Sequence, residues 1–300
     1  MPDPAVPPSV KSTIVRKPGF AAIRVGIRTL GAIAPPLAAR TAEALFRTPP
    51  RHAAAARAED AQLFQDSRPG SLSVRGAPIA SWSWGDGPPV LLVHGWGSRA
   101  ARLGSFVAPL VAAGHRVVAF DAPGHGGAAL RRSSLPEFIF AIEAAHEEHG
   151  PFTAIVAHSM GGAATTLAMA RGVHADRAVF LAPAANPAGY FGMFASILGL
   201  SDPIRARVEE RIVRRFGMRW PEFDVLGAAS RLRAPLLVVH DETDSDVPFA
   251  DGSAIAAAWP GGTLVSTRGL GHKKIVHDPA VVSRCVQFVA RRQAPAAIAT

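Results

Sequence analysis

The 300-residue chain predicts an α/β fold with a mostly parallel sheet, on three observations. Short, wholly apolar runs recur from residue 71 onward, the pattern of strands covered on both faces. These runs alternate with helical stretches, which places crossover helices on both sides of one sheet. Turns rich in glycine, histidine and acids follow the strands directly, at the end where such sheets gather reacting groups.

Taken in order, Ser71–Arg75 and Pro78–Trp84 read as an antiparallel pair, and Val90–Val93 as a central strand. Ser98 is placed to cap a helix running through Leu103, Phe106, Val107, Leu110 and Val111 to Gly114. Val117–Phe120 is the next strand and Pro136–Glu148 the next helix. Thr153–Ala157 is a strand that runs into His158-Ser159-Met160-Gly161-Gly162 and a helix, Ala163–Arg171. Strands at Ala178–Ala182, Pro235–His240 and Thr263–Thr267 follow, with helices at Phe249–Ala258 and Pro279–Arg292. The expected sheet therefore has eight strands. The stretch from Asn186 to Arg233 is too long for an ordinary connection. It is helix-rich and carries Tyr190, Phe191, Met193, Phe194, Ile197, Leu198 and Trp220, so it reads as a helical lid. The expected division is an N-terminal helical extension at 1–70, a core at 71–185 and 234–300, and a lid insertion at 186–233.

Hydrophobic content of 48% without an apolar run of about 18 residues points to a globular enzyme rather than a membrane-spanning protein. The formal charge is +9, and residues 1–60 hold nine Lys/Arg against four Asp/Glu. The excess is thus concentrated at the N-terminus. It lacks the dense basic stripe with interleaved aromatics that nucleic-acid binding requires, so no nucleic-acid partner is expected. From Lys11 to Phe46, apolar residues alternate with Arg24 and Arg28 until Pro35-Pro36 breaks the helix, and a second piece, Leu37–Phe46, ends before Pro49-Pro50. This segment is expected to be a helical arm packed on the core, with peripheral membrane contact by a basic amphipathic helix as the other reading. No small-residue cleavage site of a signal peptide follows it, so the expected location is cytoplasmic, with or without membrane association. The lone Cys285, between Arg284 and Val286, cannot close an intramolecular disulfide and is expected to pack in the interior. No feature of the sequence sets an oligomeric state.

Five strand ends carry the chemistry. Ser159, between a strand and a helix among small neighbours, has the setting of a strained turn that exposes a nucleophilic hydroxyl. The pattern G-x-S-x-G is met with Ala157 in its first position and Gly161 in its last. His94-Gly95-Trp96-Gly97 follows Val93, and its glycines permit a backbone path that aims the Trp96 amide at a developing oxyanion. The Met160 amide, next after the serine, is the second expected donor. Asp121-Ala122-Pro123-Gly124-His125-Gly126 is a turn in which His125 shapes the loop. Four acids crowd His240-Asp241-Glu242-Thr243-Asp244-Ser245-Asp246-Val247-Pro248, and one suffices to orient a histidine. Asp244 is the first choice because Asp-x-x-Val-Pro sets it a turn before the next helix; Asp246 is the second. Gly269-Leu270-Gly271-His272 supplies the base, completing the chain order Ser…Asp…His. His94 and His158 beside the turns, and Tyr190, Phe191 and Phe194 of the insertion, are expected to line the substrate pocket.

Together these stretches resemble the α/β-hydrolase superfamily over residues 71–292, in order and spacing. The resemblance implies Ser159 as nucleophile, His272 as base and then acid, Asp244 as orienting acid, and Trp96 and Met160 as oxyanion donors. It also implies hydrolysis of a small-molecule carboxylic ester, with a hydrophobic acyl or aromatic part, through an acyl-enzyme and without metal or cofactor. Thioester cleavage, acyl transfer and perhydrolysis use the same triad, and a non-catalytic binding protein could keep the fold. Ala157 in place of glycine tightens the turn, and the first 70 residues have no counterpart in the minimal fold.

Overall fold

The computed structural model describes residues 20–50, 54–128 and 131–291. Eight strands form one sheet: β1 Arg68–Val74, β2 Ala77–Trp84, β3 Pro89–Val93, β4 Arg116–Phe120, β5 Ala154–His158, β6 Ala178–Leu181, β7 Leu236–Asp241 and β8 Gly262–Thr267. Their spatial order is β1-β2-β4-β3-β5-β6-β7-β8. From β4 to β8 every pairing is parallel, while β2 runs antiparallel to both β1 and β4. The eight-stranded, mostly parallel sheet expected from the apolar runs is present.

Alternation along each strand sends successive side chains to opposite faces. Leu91 and Val93 of β3 join a core with Phe120, Phe138, Ile155, Phe180, Val238 and Trp259. This core is covered by α5 Leu135–His149, α6 Met160–Ala170, α9 Val225–Ala229 and α10 Phe249–Ala258. Val90 and Leu92 face the other way, toward Phe106, Leu110, Val156, Val239 and Cys285. There α4 Val107–Ala112 and α11 Pro279–Ala290 cover the sheet. Cys285 is fully buried, as expected, and burial pushes its thiol up to about 12. The closing helix was expected to reach Arg292, which lies outside the described residues, as does the arm from Lys11 to Gly19.

One cap differs from expectation. Ser98 does not cap a helix: the chain enters a 310 turn, Ala100–Phe106, behind Arg99, with no side-chain cap of its own. Asp121 supplies the acceptor instead, its Oδ1 receiving the Ala100 amide at 2.8 Å from the loop after β4. A tertiary contact has taken over a task that local sequence assigns to a neighbour.

The N-terminal residues form α1 Phe20–Ile33, α2 Pro35–Phe46 and α3 Ala54–Gln65. Phe64 of α3 stacks on Trp82 of β2 with ring centroids 4.2 Å apart, and the Trp84 indole donates to the Leu63 carbonyl. Between β6 and β7 the chain makes α7 Pro187–Leu198, α8 Asp202–Phe216, a 310 turn at Trp220–Phe223 and α9. The small residues Ala38, Ala39 and Ala42 let α2 approach α8, burying Ile204, Val208, Ile212 and Phe216. Glu43 lies in that seam, 3% exposed, bonded by Arg47 at 3.3 Å, Arg211 at 2.6 Å and Arg215 at 3.0 Å. Arg47 continues to Glu137 of α5 at 3.1 Å. Burial pushes the Glu43 carboxyl up, but Arg211 and Arg215 outweigh it and hold the group below its ordinary range.

Removing one partner of a buried ionic cluster strands the others, at a cost of about 3–5 kcal/mol. Glu43→Gln is therefore expected to lower stability by about that amount in urea denaturation. A loss below about 1 kcal/mol, the worth of an exposed pair, would show that the cluster does not join the helices.

Candidate active site

Ser159 sits where β5 gives way to α6, with φ 56° and ψ −125°. A left-handed backbone of this kind at a residue with a side chain costs roughly 1–3 kcal/mol and persists only when its surroundings enforce it. The Ser159 amide donates to the Leu181 carbonyl of β6 at 3.0 Å, and its carbonyl accepts from Gly162 at 2.9 Å. Two glycines make the room. A Cβ on Gly95 would stand 2.8 Å from Ser159 Cβ, and one on Gly161 would stand 2.6 Å from the His94 carbonyl. Ala157, in place of the usual first glycine, is fully buried and keeps its strand pairing with Phe180.

The structure brings Ser159, His272 and Asp244 into one hydrogen-bonded line. His272 Nε2 lies 3.0 Å from Ser159 Oγ, and Nδ1 lies 2.8 Å from Asp244 Oδ2. Asp246, the second choice, does not reach His272; its amide donates to Asp244 Oδ1 at 2.8 Å, beside the Val247 amide at 2.9 Å. Burial pushes the Asp244 carboxyl up, but bonds from His240, His272 and the Val247 amide prevail and hold it well below the usual carboxylate range. It is an anion at neutral pH.

Two residues of this loop were not singled out by sequence. His240 is fully buried, its Nε2 3.2 Å from the Val247 carbonyl and 3.4 Å from Asp244 Oδ2. The proton on Nε2 thus faces the same carboxylate oxygen as His272, from the far side. Asp241 binds the loops together: Oδ1 accepts the Thr243 amide at 3.0 Å, and Oδ2 accepts the Thr267 hydroxyl and Leu270 amide, both at 2.9 Å. Burial raises this carboxyl too, but the bonds from Thr243, Leu270 and Thr267 override it. The Asp-x-Thr spacing is a local turn signal; for His240 the sequence held none.

Above Ser159, the Trp96 and Met160 amides meet no protein acceptor among the described residues. The next amide, that of Gly97, is taken up by His125 Nε2 at 3.0 Å, while His125 Nδ1 donates to the Pro123 carbonyl. His125 thus shapes the loop, as its turn setting suggests. Among the described residues no group of three His, Cys, Asp or Glu could hold a metal ion.

The expected pocket residues are not brought together as a lining. His94 is fully buried beneath the site, donating from Nδ1 to the Gly95 carbonyl and accepting the Ala122 amide at Nε2. It braces two loops and faces no open space. His158 is buried behind His272, donating from Nε2 to the His272 carbonyl at 3.0 Å. Phe191 is 1% exposed, stacked on Trp220 and edge-on to Phe46, and Phe194 also packs on Phe46. These rings serve the seam between the insertion and the N-terminal helices. Tyr190 approaches the acids: its hydroxyl is buried with no partner among the described residues, and burial, then Asp251, Asp244 and Asp246, push its ionisation up. A cavity of 330 Å³ lined by Asp60, Phe64, Trp82, Arg99 and Asp121 contains none of the three aligned residues.

Burial first, and then the nearby His272, push His158 well below its ordinary value of 6.5. It is neutral when folded but free to bind a proton when unfolded. Below pH 6.5 the unfolded chain takes up that proton and the folded chain does not, so this group lowers stability as pH falls. The urea midpoint is expected to drop between pH 7 and about pH 5, with a shallower slope in His158→Gln. An unchanged slope would place the titration elsewhere.

A family model described as the alpha/beta hydrolase family matches residues 90–288. No curated relative matches the sequence. Among solved structures, the fold is similar to an esterase, RhEst1, from Rhodococcus sp. ECU1013, at 20% identity and TM-score 0.57, covering 75% of this chain and 99% of that one. It is similar to a monoacylglycerol lipase from Paleococcus ferrophilus, at 23% identity and TM-score 0.57, covering 71% and 98%. A bromoperoxidase from Bacillus anthracis gives 18% and 0.56, covering 75% and 100%. At these identities the likeness is one of fold, and about a quarter of this chain lies outside it. The chain belongs to the alpha/beta hydrolase family, across the residues that carry the serine, the acid and the histidine.

Proposed function

We propose that this hydrolase cleaves carboxylic esters through an acyl-enzyme on Ser159. The observation that carries the proposal is the line Asp244–His272–Ser159, with heavy-atom separations of 2.8 Å and 3.0 Å. His272 Nε2 takes the Ser159 proton as Oγ attacks the ester carbon, and the carbonyl electrons move to oxygen. Asp244, ionised and fixed by His240 and two amides, keeps the Nδ1 proton in place and stabilises the imidazolium. The Trp96 and Met160 amides receive the oxyanion; one such donor typically contributes about 10²–10³ in rate. Collapse breaks the ester C–O bond, and His272 returns its proton to the departing alcohol. Water, deprotonated by the same histidine, then releases the acid and frees Ser159.

The substrate is proposed to carry a hydrophobic acyl or aromatic part. Support comes from α7, whose first turn brings the aromatic Tyr190 within electrostatic reach of Asp244. The insertion of α7 and α8 would thereby act as a lid on the serine. The similar esterase and monoacylglycerol lipase folds are consistent with this class. Proton abstraction from Ser159 requires the neutral imidazole.

Hydrolysis of p-nitrophenyl esters from acetate to palmitate by wild type and Ser159→Ala tests the reading. Wild-type turnover should favour chains longer than acetate, and the variant should lose about 10⁴-fold or more in kcat with its fold intact. Comparable turnover by both proteins would remove Ser159 as nucleophile; no turnover on any ester would move the proposal to thioesters.

A further inference from the structure

Five of the six large apolar side chains that stand exposed among the described residues lie between residues 23 and 45. They are Ile23, Val25, Ile33, Leu37 and Leu45, with Val25 64% and Ile33 78% exposed. Along α1, Val25, Thr29, Ala32 and Ile33 follow i, i+4, i+7, i+8 spacing and share one solvent-facing side. The opposite side is in use: Ile27 is buried, and Gly31 lies against Ile204 of α8. The helix thus has two apolar faces, and nothing among the described residues covers the outer one.

Charge says what covers it. Residues 4–42 hold six Lys/Arg and no Asp or Glu. Arg24, Arg28 and Arg40 are exposed beside the apolar face, and none has an ion-pair partner among the described residues. A second copy of this chain seated there would set arginine against arginine. An anionic lipid surface instead offers phosphates to the cations and acyl chains to Val25 and Ile33. At 14 residues α1 is about 21 Å long, short of a bilayer core of about 30 Å, and no helix among the described residues is long and apolar enough to cross a membrane. The geometry is that of a helix lying in the interface.

We infer that α1 and the start of α2 dock this hydrolase on anionic membrane surfaces. The attachment is stiff rather than tethered. Glu43 and Arg47, two residues either side of the exposed Leu45, lock α2 to α8 and α5, so lipid binding fixes the orientation of the whole body.

Co-sedimentation of the full chain with phosphatidylglycerol/phosphatidylcholine vesicles, and with phosphatidylcholine alone, tests the inference without reference to any substrate. Wild type should pellet with the anionic vesicles and be released by salt. Arg24→Gln/Arg28→Gln/Arg40→Gln should weaken partitioning on the order of 100-fold. Val25→Asp/Ile33→Asp should abolish it, with an unchanged thermal melt. The inference is overturned if wild type stays in the supernatant, if all variants pellet alike, or if size exclusion shows a dimer that Val25→Asp/Ile33→Asp splits.

Discussion

The backbone of Ser159 is the constraint on which the site depends. Its positive φ lifts Oγ out of the β5–α6 turn, and that posture is held by β6 through the Leu181 carbonyl and by the turn through Gly162. Every close neighbour answers to it. Gly95 must lack a side chain because the serine Cβ occupies that space, and Gly161 must lack one because the end of β3 passes there. Those two glycines belong to the segments that carry the Trp96 and Met160 amides. The constraint that raises the hydroxyl is thus shared with the segments that carry the two proposed oxyanion donors.

On the other side of His272, two carboxylates three residues apart have separate tasks. Asp244 spends its oxygens on His272, His240 and the amides of Asp246 and Val247, so it is both anionic and fixed in direction. Asp241 makes no hydrogen bond to His272. By holding Thr243, Thr267 and Leu270 it ties the loop after β7 to the loop after β8, which carries the histidine. His158 completes the cradle from below by holding the His272 carbonyl. The imidazole is thus gripped at both ring nitrogens and at its own backbone.

Much of this was legible in the sequence for a simple reason. Val90–Val93, Ala154–Ala157 and Leu236–Val239 are buried on both faces, so they read as unbroken apolar runs, and chemistry-bearing residues fall directly after them. The choice between Asp244 and Asp246 was not legible, because it turns on the curl of the loop that bends the Asp246 amide back onto Asp244. The aromatic residues of the insertion misled for a different reason. Phe191 and Phe194 have their partners in Phe46 of the N-terminal arm and in Trp220, and no local pattern announces a contact across some 145 residues of chain. Ser98 was displaced as a cap in the same way, by Asp121 arriving from another strand.

The central claim is that His272 makes the Ser159 hydroxyl nucleophilic. A fluorophosphonate probe, followed by peptide mass spectrometry, tests it most directly on wild type and His272→Gln. The account predicts a single phosphonylated peptide containing Ser159 in wild type and loss of that label in the variant. Labelling at another serine, or undiminished labelling of Ser159 without the histidine, would contradict it.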